Sequence, residues 1–599
     1  MFKSVIGKSL REYFSSAFQT RSSREHTFLL FTAGALGVAC GLMAVLFEWL
    51  INAFEHIFFD KSAEFFALSP TIYHYLIIPL IPALGGLIVG FLTYRFKMGY
   101  ESAAAAEVMK WAAVDGGVVK PRTMWFRLVT TAIFLGSGGS GGREGPIAQI
   151  CGAMGSAVGQ VFKASTERLR LLVACGAAAG LAAAFNAPIA GVIFTVELVL
   201  GDFNVTSFLP IVISSVMATT TKRLLLGDIP AFVAPSYSLV SPWEIGLYAV
   251  LGVVCGIVAW LFFKMYFLSD TFFKPKIKAH PIVTPALGGL LVGVIGIFTP
   301  GVFGNGYNVM DDMLNGDMLW TIALSLIFFK ILATAISLGS GGSGGVFAPA
   351  LFVGCMTGGV FGYFVNYMAP DLVASPGAYA MVGIGAVMAA VVHAPLTNIL
   401  MGYELTGNYQ IILPIMTACM MSTYIMTWLS EESLYTEKLR RRGIRLWRGR
   451  DLSVMDRIKV REVMAGSVTN IPENLPFGRI MELMATSRDN YFPVVDSAGK
   501  LTGIISIQNV REFMLDSAAL CDLVVAKEIA TENVITVTPD NNLNEAMEKF
   551  AAKDIEQLPV VKSDDPYTVI GMLRRTDVLA AYKKDVLRKT EVEEKTPAT

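Results

Sequence analysis

Apolar runs separated by short polar breaks fill the first 430 positions of the chain. They cover about 28–58, 72–95, 124–142, 147–162, 170–224, 243–268, 281–299, 317–338, 345–368, 377–402 and 410–429. A straight helix needs about 20 apolar residues to cross about 30 Å of hydrocarbon. Several of these runs are too short for that, or are interrupted by glycine and proline, so they predict helices that are broken or do not span. Short, interrupted hydrophobic segments in corresponding positions mark a transporter whose site lies at mid-membrane. Beyond about Ser430 charge becomes frequent, strand-like alternation appears and no run could span. The pattern therefore divides the chain into an N-terminal helix over 1–27 lying on the cytoplasmic membrane surface, a membrane domain over 28–442, and a soluble α/β region in two parts, 453–517 and 524–585. A tail over 586–599 is expected to be disordered.

Composition supports this division. Hydrophobic residues are 54% of the 599 and charged residues 16%, where a soluble protein carries about a quarter charged residues. Lys+Arg and Asp+Glu are both 48, so the net charge points to no partner, and no nucleic acid is expected. Charge position says more. Lys3, Lys8, Arg11, Arg21 and Arg24 precede the first apolar run, and a basic cluster from Lys438 to Arg450 follows the last. The positive-inside tendency places both ends in the cytoplasm. The seven cysteines include no CxxC pair and read as small core residues. The five histidines are scattered, with no HExxH, Ser/His or paired-Asp motif in a membrane segment, so a membrane enzyme is not expected. A cation transporter regulated by the soluble region would call for mid-membrane carboxylate clusters, but Glu144, Glu197 and Glu404 are isolated.

The membrane region repeats, over roughly 28–225 and 243–430. Leu135–Gly142 and Leu338–Gly345 both read LGSGGSGG, 203 positions apart. Phe185-Asn186-Ala187-Pro188 recurs as Val392-His393-Ala394-Pro395, and Glu197 as Glu404, 207 positions apart. Such repeats are usually inverted. The soluble region repeats as well, with Tyr491–Val495 matching Gln557–Val561. Each of these is followed by a strand, Leu501–Ile507 or Thr568–Leu573, and preceded by a helix, about Pro476–Ala485 or Leu543–Ala552.

The glycine runs formally fit GxGxxG, but their flanks are apolar membrane segments rather than a βαβ unit, so a dinucleotide site is rejected. Close helix packing through small residues accounts for part of the glycine. It does not account for both runs ending in a helix-starting Gly-x-x-x-Pro, Gly142–Pro146 and Gly345–Pro349. Glycine leaves backbone N–H groups unhindered, and a proline in the first turn gives up only an N–H the helix would leave unpaired. The free N–H groups and the positive end of the helix dipole then bind an anion without a full cationic charge, weakly enough to release it. One such start from each half can converge at the repeat interface. Glu144 sits inside the first, and an ionisable residue there is a functional candidate. Ionised, its carboxylate could occupy the anion site; protonated, it would swing away. Helix-start amides and burial act oppositely on its proton affinity, which suits exchange near neutral pH. The structural alternative is a helix-terminal acid paired with Arg143.

GREGP, then GxFxP in the second half, with NAPxAG between them, resembles the CLC family of chloride channels and chloride/proton exchangers. The C-terminal pair resembles the CBS tandem that many of its members carry. The resemblance implies an all-α polytopic membrane domain, an inverted repeat of some eighteen helices with several broken or non-spanning, followed by a small cytosolic α/β CBS tandem. It implies one anion pathway in each subunit of a homodimer in the bacterial plasma membrane, with chloride, and in exchangers protons, as the transported ions and no cofactor required. Glu144 would be the gating glutamate, the amides of Arg143, Gly145, Val346 and Phe347 would cradle anions, and Tyr435 would add its hydroxyl. The alternative for Tyr435 is an interfacial anchor.

Two departures matter. The family's GSGIP motif should fall near 101–108, where the chain reads Glu101-Ser102-Ala103-Ala104-Ala105-Ala106-Glu107; the hydroxyl ligand is then either lost or supplied by Ser102 in another register. Exchangers of the bacterial type carry adjacent glutamates after NAPxAG, and here the pair is Glu197-Leu198. Proton coupling would then run through Glu197 and water, or be absent, so channel and exchanger both stand. In the CBS pair, nucleotide-binding members show Gly-h-h-Ser/Thr-x-x-Asp. The first copy ends in Asn509, while the second keeps Asp577 but reads Arg574 for the Ser/Thr. Adenine-nucleotide binding through Asp577 and a purely structural role both stand.

Overall fold

The computed structural model describes residues 21–66, 73–98, 104–201, 203, 205–228, 240–276, 282–370, 373–444, 446–447, 450–451, 455, 458–466, 468–487, 490–507, 509–510, 523–553 and 555–581. Ser102, most of the 1–27 segment and the 586–599 tail fall outside these residues. The chain forms two compact units, one holding the helices up to Arg442 and the other the chain from Asp451 onward.

Among the described residues of the first unit, apart from the six-residue helix Lys61–Phe66, the α-helices fall into two series of eight with one more at the end. The first series is α1 (Arg21–Glu55), α2 (Leu80–Arg95), α3 (Ala104–Ala113), α4 (Arg122–Gly136), α5 (Glu144–Val161), α6 (Thr166–Phe185), α7 (Pro188–Phe194) and α8 (Val205–Leu226). The second is α9 (Glu244–Lys276), α10 (Val283–Phe298), α11 (Tyr307–Asn315), α12 (Trp320–Gly339), α13 (Phe347–Met368), α14 (Pro376–Val392), α15 (Pro395–Thr406) and α16 (Ile412–Leu429); α17 (Leu434–Arg440) comes last. Among the described residues eight helices are long and apolar enough to cross a membrane, while α3, α7, α11 and α15 are short. Punctuation repeats with the helices. Asn186 and His393, at φ 60° and 55°, end α6 and α14 in the left-handed region, and an Ala-Pro pair then starts α7 and α15 with proline in the first turn.

The two series are antiparallel to each other. A Cβ on Gly86 would lie 2.2 Å from the Pro285 carbonyl oxygen and one on Gly90 2.6 Å from that of Ile282. Reciprocally, Gly289 meets Pro82 at 2.1 Å and Gly293 meets Pro79 at 2.4 Å. As numbering rises along α2 it falls along α10, although these two helices are counterparts 203 positions apart. A second antiparallel crossing ties the short helices. The Glu404 carboxylate accepts from the backbone N–H of Ile189 (2.9 Å) and Ala190 (2.7 Å) at the start of α7. Glu197 accepts from Leu396 (3.1 Å) and Thr397 (2.8 Å) at the start of α15. Each half thus caps the other's helix with a carboxylate, a placement favoured by the free N–H groups and the dipole. Counterpart helices that run in opposite directions through one membrane make the repeat inverted.

The second unit is α/β. Strand β1 (Ile471–Pro472) pairs in parallel with β2 (Tyr491–Val495), and β2 pairs antiparallel with β3 (Leu501–Ser506). Strands β4 (Gln557–Val561) and β5 (Val569–Arg574) repeat the hairpin. Helices α18 (Phe477–Thr486) and α19 (Leu543–Lys553) cover the two hairpins. Phe477, Ile480, Phe492, Val494 and Ile505 fill one core; Leu543, Phe550, Leu558, Val560 and Leu573 fill the other. The period-two burial of β3 shows why alternation beyond Ser430 reads as strand.

Candidate functional site: the crossing of two glycine-rich loops

The loops before α5 and α13 meet at counterpart residues. Gly142 N–H donates to the Gly345 carbonyl, and Gly345 N–H to that of Gly142, both at 2.8 Å. Side chains brace the crossing symmetrically. The Ser140 and Thr334 hydroxyls are 3.0 Å apart, and those of Ser343 and Thr131 are 2.8 Å apart. This contact needs glycine: a Cβ on Gly142 would lie 2.5 Å from Glu144 Oε2 and 2.8 Å from the Ala348 nitrogen. The starts of α5 and α13 are thereby held together, with Pro146 and Pro349 in their first turns.

Glu144, the first residue of α5, is fully buried at this crossing. Among the described residues its Oε2 makes no hydrogen bond; it shares with the backbone nitrogen of Ala348 the space where a Cβ on Gly142 would stand, so a carboxylate from one half lies at the helix start of the other. Its Oε1 accepts a hydrogen bond from the Tyr307 hydroxyl at the start of α11. Arg143 lies alongside. Its Nε is 3.8 Å from Glu144, its guanidinium bonds Glu48 of α1 at 2.9 Å, and it stands 5.6 Å over the Tyr307 ring. Lys222 of α8 reaches the same Glu48 at 3.3 Å. The acids and bases around Glu144 therefore balance in pairs, which leaves backbone N–H and hydroxyl groups as the uncharged donors at the crossing. Arginine held in an ion pair would not trap the anion.

The other expected residues take these places. Gly145 packs within 3.5 Å of the Ala104 methyl and Gly345, measured from where its Cβ would be. Val346 and Phe347 are fully buried, and the Phe347 ring packs between Phe185 (6.1 Å) and Phe194 (5.6 Å), an apolar wall beside the helix start. Tyr435, in α17, is buried within electrostatic reach of Glu144. Glu197 lies in a π-helical turn, Thr195–Leu200, and is engaged by α15, its Oε2 also accepting from the Thr397 hydroxyl at 2.6 Å; Leu198 beside it is buried. In the second unit a cleft of about 400 Å³ opens between the hairpins, lined by Tyr491, Ser506, Glu556, Gln557, Arg574 and Thr576. Asp577 is next in the chain, while Asn509 is turned inward, its Oδ1 accepting from the Ser506 N–H and hydroxyl.

Besides Glu48, Lys222 and Ala348, sequence reasoning missed two residues that hold the crossing, Tyr307 and Lys330. Lys330 is fully buried in α12 and donates to the carbonyls of Val302 and Gly304, each at 3.0 Å, in the loop that leads to Tyr307. Both left a signal. Applying the 203-residue offset to 101–104 gives Gly304-Asn305-Gly306-Tyr307, a glycine-rich helix start, and Lys330 is a lone cation in the 317–338 apolar run.

An inverted membrane repeat whose two helix starts close on one carboxylate, joined to an α/β tandem, defines a polytopic anion-transport protein with an appended soluble module. The chain matches the voltage gated chloride channel family over residues 85–427 and the CBS domain over 460–516 and 526–584. It belongs to that family, the CLC proteins. It is 33% identical to the H(+)/Cl(−) exchange transporter ClcA of Vibrio vulnificus, with 69% of this chain and 89% of the relative covered. It is 27% identical to chloride channel protein CLC-f of Arabidopsis thaliana, covering 86% and 75%. The crystal structure of a slow cyanobacterial Cl−/H+ antiporter superposes with a TM-score of 0.64 at 26% identity, covering 69% of this chain and 97% of the antiporter.

Proposed function

We propose that this protein carries chloride across the membrane through the crossing of its two halves, and that Glu144 gates the passage by exchanging protons. The single observation behind this reading is the place of the Glu144 carboxylate, buried near the Ala348 nitrogen and bonded to Tyr307. A carboxylate and a chloride ion compete for the same donors. Protonation weakens the carboxylate's hold on helix-start N–H groups and opens the site, so anion passage and proton uptake are linked at one residue. The amides of Arg143, Gly145, Val346 and Phe347, with the Tyr435 and Ser102 hydroxyls, complete the proposed path. The relatives named as exchangers support the coupled reading.

A passive chloride channel is the second reading, favoured by one observation. Leu198 stands beside Glu197, and the Glu197 carboxylate is already held by three donors of α15. Purified protein in liposomes decides between them. With an imposed chloride gradient and no other driving force, the exchanger pumps protons against their gradient; chloride flux that moves no protons establishes the channel.

Both termini are placed in the cytoplasm by their basic clusters, in a bacterial plasma membrane. A homodimer is proposed as the working assembly, with exposed apolar residues such as Ile189, Leu396, Leu413 and Met420 on α7, α15 and α16 available to cover one another. In the CBS cleft an adenine nucleotide is the proposed ligand, with Asp577 holding its ribose.

A further inference from the structure

We infer that the Tyr307 hydroxyl is a ligand of the transported anion, exchanged between Glu144 and chloride as the gate moves. The inference rests on the reading of Glu144 as the gate. Tyr307 opens α11, the second-half counterpart of α3, and it reaches the crossing from the opposite repeat to the carboxylate it bonds. A hydroxyl that donates to a carboxylate oxygen can donate to a halide in the same place, since both are anionic acceptors. When Glu144 withdraws, this buried donor needs an acceptor in its stead, and the anion entering the vacated position supplies one.

The surroundings keep the hydroxyl aimed. Arg143 stacks over the ring. Lys330 fixes the 302–304 backbone just ahead, and the Gly304 carbonyl also receives Gly141 N–H at 3.4 Å. Gly306, at φ 79°, makes the left-handed turn that starts the helix. A cavity of about 470 Å³, lined among others by Asn52, Arg143, Asn305, Gly306 and Tyr307, reaches this point from one side. Tyr307 therefore stands where the cavity meets the gate, a position from which it contacts each anion that passes.

Chloride titration calorimetry on purified full-length protein tests the inference. In the Glu144→Ala background no carboxylate competes, and adding Tyr307→Phe is expected to weaken chloride binding about tenfold, the effect of one hydrogen bond to a charged group. Tyr307→His, which restores an N–H donor on a ring, is expected to recover affinity to within about twofold of the parent. In otherwise wild-type protein Tyr307→Phe also releases Glu144, so flux at neutral pH rises and its pH dependence shifts. Arg143 and Tyr307 itself face Glu144 at close range, with Glu48, Lys222 and Tyr435 beyond, and all but Tyr307 are unchanged in that variant. Equal chloride affinity with and without the hydroxyl overturns the inference. If instead Glu144→Ala leaves the flux and its pH dependence as in wild type, it is the gate reading that falls.

Discussion

Glu144→Ala is expected to abolish proton movement and to leave a chloride conductance that no longer responds to pH. Glu144 is fully buried between two helix starts, and the proposed function makes its side chain at once the plug and the proton carrier. Alanine removes both, and the anion finds the donors of Ala348 and Tyr307 open at every pH. Glu144→Gln separates the two roles: it keeps the volume and an acceptor for Tyr307 but cannot ionise. It too should flatten the pH dependence, with a smaller flux than alanine because the amide still fills the passage. The check is paired chloride and proton recording from one liposome preparation. Stoichiometric proton movement persisting in Glu144→Ala would remove Glu144 from the proton route and return it to a structural acid.

The second large effect concerns a residue with no side chain. Gly142→Ala would put a methyl 2.5 Å from Glu144 Oε2 and 2.8 Å from the Ala348 nitrogen. A real Cβ cannot sit there, so either the gate or the start of α13 must shift. The overpacking costs about 1–3 kcal/mol, which a membrane domain this extensively packed should survive, but a displaced helix start no longer presents its amide. Chloride flux is expected to fall about tenfold or more, the factor that about 1.4 kcal/mol of lost transition-state binding produces, with elution on size exclusion unchanged. Gly246→Ala is the control, because nothing lies within 4 Å of its added Cβ. If the two variants transport equally, the close crossing at Gly142 is not part of the pathway.

The broad architecture was legible because membrane helices announce themselves by length and polarity, and because the chain writes its unit twice. The LGSGGSGG pair and the Asn-Ala-Pro/His-Ala-Pro pair fixed which helices are counterparts. Inversion was not legible. It lies in which carbonyl Gly86 meets and which amides Glu404 caps, contacts between residues about 200 positions apart. For the same reason Glu197 reads in the sequence as an isolated acid on a candidate proton route, whereas in the fold its partner is the backbone of Leu396 and Thr397. Tyr307 was hidden by attention to the first-half segment around Ser102; the departure there hid its second-half counterpart, which the offset would have exposed. In the CBS pair the hairpins were readable from alternation, but Asn509 looked like a lost ribose ligand and proves to cap the Ser506 turn.

The claim that two inverted helix starts build one anion site is tested most directly by locating the anion. In crystals of Glu144→Ala soaked in bromide, an anomalous peak is expected against the backbone nitrogens at the starts of α5 and α13, within hydrogen-bonding reach of the Ala348 N–H and the Tyr307 hydroxyl. Bromide found only at surface cations, with the crossing of Gly142 and Gly345 empty at saturating concentration, would contradict the account.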